Sequence, residues 1–123
     1  MKLLTAVVKP FKLDEVKEAL KDVGVTGLTV SPVRGFGHTG GHVEIFRGKE
    51  YVFDFKDKLQ IEILTADESV DEVIEAIVNA ARTDTVGDGV VWVTDVEHVV
   101  RIRTNERGPE ALGLAGLAAD SFG

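Results

Sequence analysis

At 123 residues, with a net charge of −7 and a pI near 4.9, the chain is long enough for one buried core and too acidic to favour nucleic acid or an anionic membrane as a partner. It has no cysteine, which excludes disulfides and thiolate metal sites. No apolar run approaches the length of a bilayer span and the N-terminus lacks the layout of a signal peptide, so a cytoplasmic protein without membrane insertion is expected.

Leu3 to Val8 is a short apolar run and reads as a buried strand. Pro10 ends it, because proline lacks the N–H that a central strand must donate. Leu13, Val16, Leu20 and Val23 then recur at helical spacing, with Asp14, Glu15, Lys17, Glu18 and Lys21 on the other face. Gly24 is the expected stop just past that helix. Gly27 to Arg34 reads as a second strand.

Gly35 to Lys58 breaks the pattern. It opens with four glycines in seven positions, a composition that regular helix or strand tolerates poorly, and it carries the only tyrosine, Tyr51. Connections this long are uncommon in compact domains and are usually functional. It reads as a large projecting loop, at about 37–57, held out by the rest of the chain.

Beyond it, Lys58 to Thr65 alternates. Leu59, Ile61 and Ile63 share one face, and Lys58, Gln60, Glu62 and Leu64 the other. Ser69 and Glu72 have the spacing of a capping box, and Val70, Val73, Ile74, Ile77 and Ala81 form the apolar face of the helix that follows. Val90 to Val96 is a strongly apolar strand, and His98 to Arg103 reads as a further short one. The order is strand, helix, strand, long loop, strand, helix, strand, which is the split βαβ arrangement of the ferredoxin-like α+β class. Two helices cover only one face of such a sheet, so self-association is expected to cover the other. The core domain is 1–104. The tail, 105–123, is rich in Gly, Ala and Leu, and is either loose or a short packed helix.

Three groups of residues could carry chemistry. Thr83 to Gly89 contains Gly87-Asp88-Gly89, whose glycines can take φ > 0 and turn N–H groups toward one point as a phosphate nest; the same tripeptide also suits an ordinary tight turn. Arg101 and Arg103, two apart on the expected last strand, would share a face and could fork phosphate oxygens, or pair with the many carboxylates. Gly35 to Gly41 follows a strand without opening a helix, so it satisfies neither the dinucleotide fingerprint nor the P-loop. His38 and His42 stand at i, i+4, but the surrounding glycines disfavour the helix that such a metal pair needs. No nucleophile motif is present.

Together these residues resemble the PII signal-transduction proteins of nitrogen regulation. The resemblance runs from Met1 to about Arg107. It rests on Val8-Lys9-Pro10-Phe11-Lys12-Leu13-Asp14, Gly35-Phe36-Gly37, Phe46-Arg47-Gly48-Lys49-Glu50-Tyr51, Asp54-Phe55, Lys58, Gly87-Asp88-Gly89 with Trp92, and Arg101-Ile102-Arg103-Thr104. It implies a homotrimer in which ATP and ADP compete in clefts between subunits, with 2-oxoglutarate binding beside Mg-ATP. The long loop would be an effector arm for ammonium channels and nitrogen-metabolism enzymes. By position, Thr29 and Leu64 would border the adenosine. Gly37, His38, Gly87, Asp88, Gly89, Arg101 and Arg103 would surround the phosphates. Lys58 would pair a 2-oxoglutarate carboxylate, and Tyr51 would be the residue uridylylated or adenylylated. No catalytic residue is implied, beyond slow ATP hydrolysis as a side activity.

The chain departs from the family pattern at several points. Thr39 stands where glutamine is usual and is too short to reach Mg and 2-oxoglutarate in the same way. Val90 replaces a lysine and removes a phosphate-binding cation. Phe46, Lys49 and Lys56-Asp57 are also unusual. Nucleotide binding is expected to survive on the two arginines and the glycine turn. An alternative is a diverged sensor that uses the same cleft for another metabolite. A phosphotransferase on this fold would need a histidine nucleophile in a cleft, but His38 and His42 lie in the glycine-rich loop and His98 has no evident partner.

Overall fold

A computed structural model describes residues 1–37, 42–46, 49–53 and 55–112, with 42–46 and 49–53 at the level of backbone. Strand β1 (Lys2–Val8) leads through a 3-10 turn at Pro10–Lys12 into helix α1 (Leu13–Asp22). Strand β2 (Thr29–Phe36) is followed by the short strands β3 (His42–Phe46) and β4 (Lys49–Phe53), then by the long strand β5 (Phe55–Thr65). Helix α2 (Val70–Ala81), strand β6 (Gly89–Asp95) and a 3-10 helix at Gly108–Leu112 complete the described chain.

The main sheet has the order β2-β5-β1-β6, with every neighbouring pair antiparallel. This is the expected α+β architecture of split βαβ type. The apolar run of β1 explains its central place: Leu4, Ala6 and Val8 are buried against the helices, opposite Ile63, Ile61 and Leu59 of β5. Val16 and Leu20 of α1 and Val73, Ile77 and Ala81 of α2 close the core from above. The alternation read along β5 is the observed one, with Ile61 and Ile63 in the core and Lys58, Gln60, Glu62 and Leu64 on the opposite face.

Gly24 ends α1 as expected. Its φ is 91°, its N–H donates to the Lys21 carbonyl at 3.0 Å, and the Val25 N–H reaches back to Leu20 at 2.9 Å. That is a Schellman closure, and Val25 and Leu20 are both buried at its base.

Three expectations need correction. The segment from Gly35 to Lys58 is not all loop: β2 runs through Gly35 and Phe36, β5 starts at Phe55, and β3 and β4 pair as a separate two-stranded sheet, His42 opposite Phe53 and Phe46 opposite Lys49. The glycines masked a sequence of Val43, Ile45, Tyr51, Val52 and Phe53, side chains that favour strands. There is no capping box at Ser69, which takes helical backbone angles after a 3-10 turn (Asp67–Ser69), is buried and makes no side-chain cap bond.

His98 to Arg103 is not a strand either. A single bridge joins Val100 to Arg107, and the chain turns back on itself, with Asn105 N–H donating to the Arg101 carbonyl at 2.8 Å and Arg101 N–H to Glu106 at 2.9 Å. These local bonds use the groups that a sheet edge would have paired. Finally, the start of the tail packs: Ala111 and Leu112 are buried in the last 3-10 helix, while 113–123 lie outside the described residues.

The core assignment sets a clear contrast. Leu4→Ala, at a fully buried centre, should lower unfolding free energy by about 2–5 kcal/mol. Ile102→Ala, at a side chain 98% exposed, should change it by less than about 0.5 kcal/mol. Urea melts of the two variants check this.

Candidate functional site

The face of the sheet turned away from the helices carries Leu3 and Val7 of β1, Lys58, Glu62 and Leu64 of β5, and Val90 and Trp92 of β6. Val90 and Trp92 are exposed there, so among the described residues no element covers that face at β6. Two clefts open on it, one at each end.

The first cleft, of about 310 Å³, lies between the end of β2, the start of β5 and the turn before β6; Gly35, Phe36, Gly37, Lys58, Gly87 and Gly89 line it. Lys58 Nζ donates to the Gly87 carbonyl at 2.5 Å. Burial pushes the Lys58 ammonium below its usual range, with the charge of Lys9 nearby adding to the effect. A half-buried ammonium under that penalty gains from an incoming anion. Val7, Val86 and Val90 form the apolar wall.

The turn itself is wound around one carboxylate. Asp88 accepts from the Thr83 N–H at 2.7 Å, from the Thr85 N–H at 3.4 Å and from the Thr83 hydroxyl, and it pairs with Lys9 Nζ at 3.0 Å. These bonds, the Thr83 ones foremost, hold its carboxyl well below the usual carboxylate range. The side chain of Asp88 therefore faces into the turn, so what it can offer a ligand is main chain rather than carboxylate. Asp84, Gly87 and Gly89 all have positive φ, 62°, 94° and 118°. Gly89 is required twice over: a Cβ there would stand 1.8 Å from the Val7 carbonyl oxygen.

The second cleft, of about 340 Å³, is lined by Leu3, Thr29, Glu62, Leu64, Val99, Val100, Arg101 and Ala111. Arg101 is mostly buried there. One Nη donates to the Ala111 carbonyl at 2.9 Å, the other lies 3.7 Å from Glu106, and Nε has no hydrogen-bond partner among the described residues. A buried guanidinium with an unpaired N–H beside a cleft is chemically suited to a polar or anionic ligand.

The expected site residues thus fall into two sets. Gly37, Lys58, Gly87 and Gly89 meet at one cleft, with Asp88 behind it; Thr29, Leu64 and Arg101 meet at the other. Arg103 is exposed on the turn, lines neither cleft and does not share a strand face with Arg101. His38 lies outside the described residues. Tyr51 sits on β4 opposite Glu44, and its side chain lies outside what is described. Among the described residues, no group of three or more His, Asp or Glu side chains could hold a metal ion, and no helix is long and apolar enough to cross a membrane. Lys9, Thr83 and Thr85 were not expected in the site. Nothing in their local pattern announces them, because they meet only when β1 and the turn are brought together.

A family model described as "Nitrogen regulatory protein P-II" matches residues 1–106. The chain belongs to the P-II family. Curated P-II proteins from Rhizobium meliloti (strain 1021), Pasteurella multocida (strain Pm70) and Azospirillum brasilense are each 54% identical to it over 112 residues, covering 91% of this chain and all of the relative. Family membership makes this a nitrogen regulatory signalling protein. In this P-II chain, the glycine turn and Lys58 form one surface feature, and Thr29, Leu64 and Arg101 another.

The low-lying Asp88 acidity gives a pH test. A carboxyl depressed in the folded state adds stability above its unfolded value, near 3.9, and that stability is lost as pH falls toward the folded value. The difference in urea midpoint between the native chain and Asp88→Asn should be flat from pH 7 to about 5 and shrink below it.

Proposed function

We propose that this P-II protein is a homotrimeric adenylate sensor: ATP and ADP compete for sites between subunits, and the occupant sets the conformation of the segment that carries β3 and β4. The observation that carries the reading is the division of the site. Lys58 and Leu64 lie on one strand and one face, six residues or roughly 20 Å apart. Each cleft is at the low end of the ~300–1,000 Å³ span of small-molecule sites and is open on one side. A second copy, offering its Arg101 cleft to the first copy's Lys58 cleft, would complete a site that neither half makes alone. Because the two halves differ, such contacts join copies head to tail, and a ring of three closes them. The same packing would cover the bare sheet face around Trp92.

On this reading Thr29 and Leu64 border the adenosine of one subunit's half-site. Gly37, His38 and the Gly87-Asp88-Gly89 main chain receive phosphates on the other, with Arg101 and Arg103 closing from the neighbour. The unpartnered Arg101 Nε and the positive-φ glycines fit a phosphate chain. The bound nucleotide would bring the charge that carries Mg. Lys58 would pair a carboxylate of 2-oxoglutarate, while Thr39 shortens the contact expected to hold Mg and 2-oxoglutarate together. The arm would engage an ammonium channel or nitrogen-metabolism enzymes in the cytoplasm, with Tyr51 open to nucleotidylation.

Calorimetry should show saturable ATP binding to a protein that runs as a trimer in light scattering. Arg101→Ala with Arg103→Ala should weaken it about ten- to a hundredfold, the loss of one charge-assisted contact or more. Undiminished affinity would rule out the pocket. Titration of 2-oxoglutarate with Mg-ATP present distinguishes the two sensor readings. Tight binding that depends on ATP favours the nitrogen signal, and no binding favours a different metabolite in the same cleft.

A further inference from the structure

Lys9 has no part in the reading above, yet it makes more polar contacts at the turn than any ligand-facing residue. It follows β1, and its Nζ lies 3.0 Å from Asp88 Oδ1, 2.7 Å from Thr85 Oγ1 and 3.1 Å from Thr83 Oγ1. The two charged side chains are only 19% and 23% exposed, so this pair is shielded from solvent screening. Asp88 in turn holds the N–H groups of Thr83 and Thr85.

This arrangement contains an electrostatic conflict. A turn suited to receive an anion is built on a carboxylate that sits between its two glycines. Left uncompensated, that charge would repel the ligand the turn is shaped for. We infer that Lys9 is a positioning residue of the phosphate cleft: it neutralises Asp88 from behind, so that the carboxylate can order the turn without opposing an anion in front of it. Lys58, on the Gly87 carbonyl, flanks the same turn from the ligand side. The two lysines therefore have different tasks. Lys58 lines the ligand cleft, and Lys9, which borders an adjoining cleft with Lys58, Val86 and Gly87, acts on the turn through Asp88 and the two threonines.

The inference takes its ligand from the nucleotide reading, but its claim about the turn stands apart from it. The test is a double-mutant cycle on the full-length protein, with ATP and ADP binding measured by calorimetry and amide exchange followed over residues 82–90. Lys9→Met should weaken ATP binding by about tenfold or more, and ATP more than ADP, because the uncompensated charge acts on each added phosphate. In an Asp88→Asn background, the same Lys9→Met change should weaken binding by less than about threefold, since no charge remains to neutralise. Lys9→Arg should restore near-native affinity. A residue that merely supported the fold would give additive effects and no difference between the nucleotides.

Binding by Lys9→Met within twofold of the native protein, or additive losses in the double variant, would overturn the inference. Should the native protein bind neither nucleotide, the adenylate reading falls. The exchange data then decide the question: faster exchange of the Thr83 and Thr85 amides in Lys9→Met, reversed in Lys9→Arg, supports Lys9 as the residue that holds the turn, and unchanged exchange refutes it.

Discussion

The site depends on one half-buried carboxylate that faces into a short turn. Asp88 collects two backbone N–H groups, a hydroxyl and an ammonium. Seven residues that would otherwise be an exposed connection between α2 and β6 are thereby fixed. Thr83 and Thr85 spend their donors inward, and the glycines on either side of Asp88 are left to face outward with unusual backbone angles. Many loops bind ligands by being adaptable. Here the main chain is ordered by polar bonds that are already made, which would lower the conformational entropy cost for the ligand of the proposed reading.

The turn also has to reach the sheet at the right height. Gly89 enters β6 opposite Val8, and its missing Cβ is what lets the strand pass against the Val7 carbonyl. That close approach brings Gly87 within reach of Lys58 across β1. The chain thus joins a lysine on β5, a lysine at the end of β1 and a turn before β6 into one feature. The alternation of β5 is what keeps Lys58 and Leu64 on the same face as the two clefts while Ile61 and Ile63 hold the core.

Much of this was legible in the sequence, and the failures have physical causes. The helices and β5 follow from periodicity, because burial on one face leaves a repeat that a single sequence displays, and β1 and β6 follow from their apolar runs. Gly24 was readable as a stop because only a residue without Cβ suits φ near 90°. The two-stranded β3–β4 sheet was hidden by the glycines before it, whose composition outweighed the strand-forming residues after them. His98 to Arg103 reads like a strand, but the chain bonds to itself between Arg101 and Glu106, and among the described residues only the single Val100–Arg107 bridge pairs it. Alternation reports what a segment could pair with, not whether a partner is there. Gly87 and Gly89 were visible from their type alone. Lys9 was not, since its importance comes from a contact with Asp88 across most of the chain.

On the proposed reading, the division of the site between copies has consequences beyond geometry. A ligand held by two chains stabilises their association, by about 2.7 kcal/mol per site at a concentration one hundred times its Kd. Nucleotide affinity and assembly then cannot be tuned separately. The position of the root of the β3–β4 segment matters for the same reason. Phe36 and Phe55, which end β2 and begin β5, pack with their ring centroids 5.6 Å apart and their planes tilted by 46°, and the Arg34 guanidinium lies 5.7 Å from the centre of the Phe55 ring. Phe36 and Gly37 line the Lys58 cleft directly. ATP and ADP differ by one phosphate, and a ligand can shift a conformational balance only by its differential contacts with the two states. Those contacts must therefore fall where the phosphate chain ends. On the proposed reading that place would be the root of the arm, so the group that distinguishes the nucleotides would meet the residues from which the arm departs.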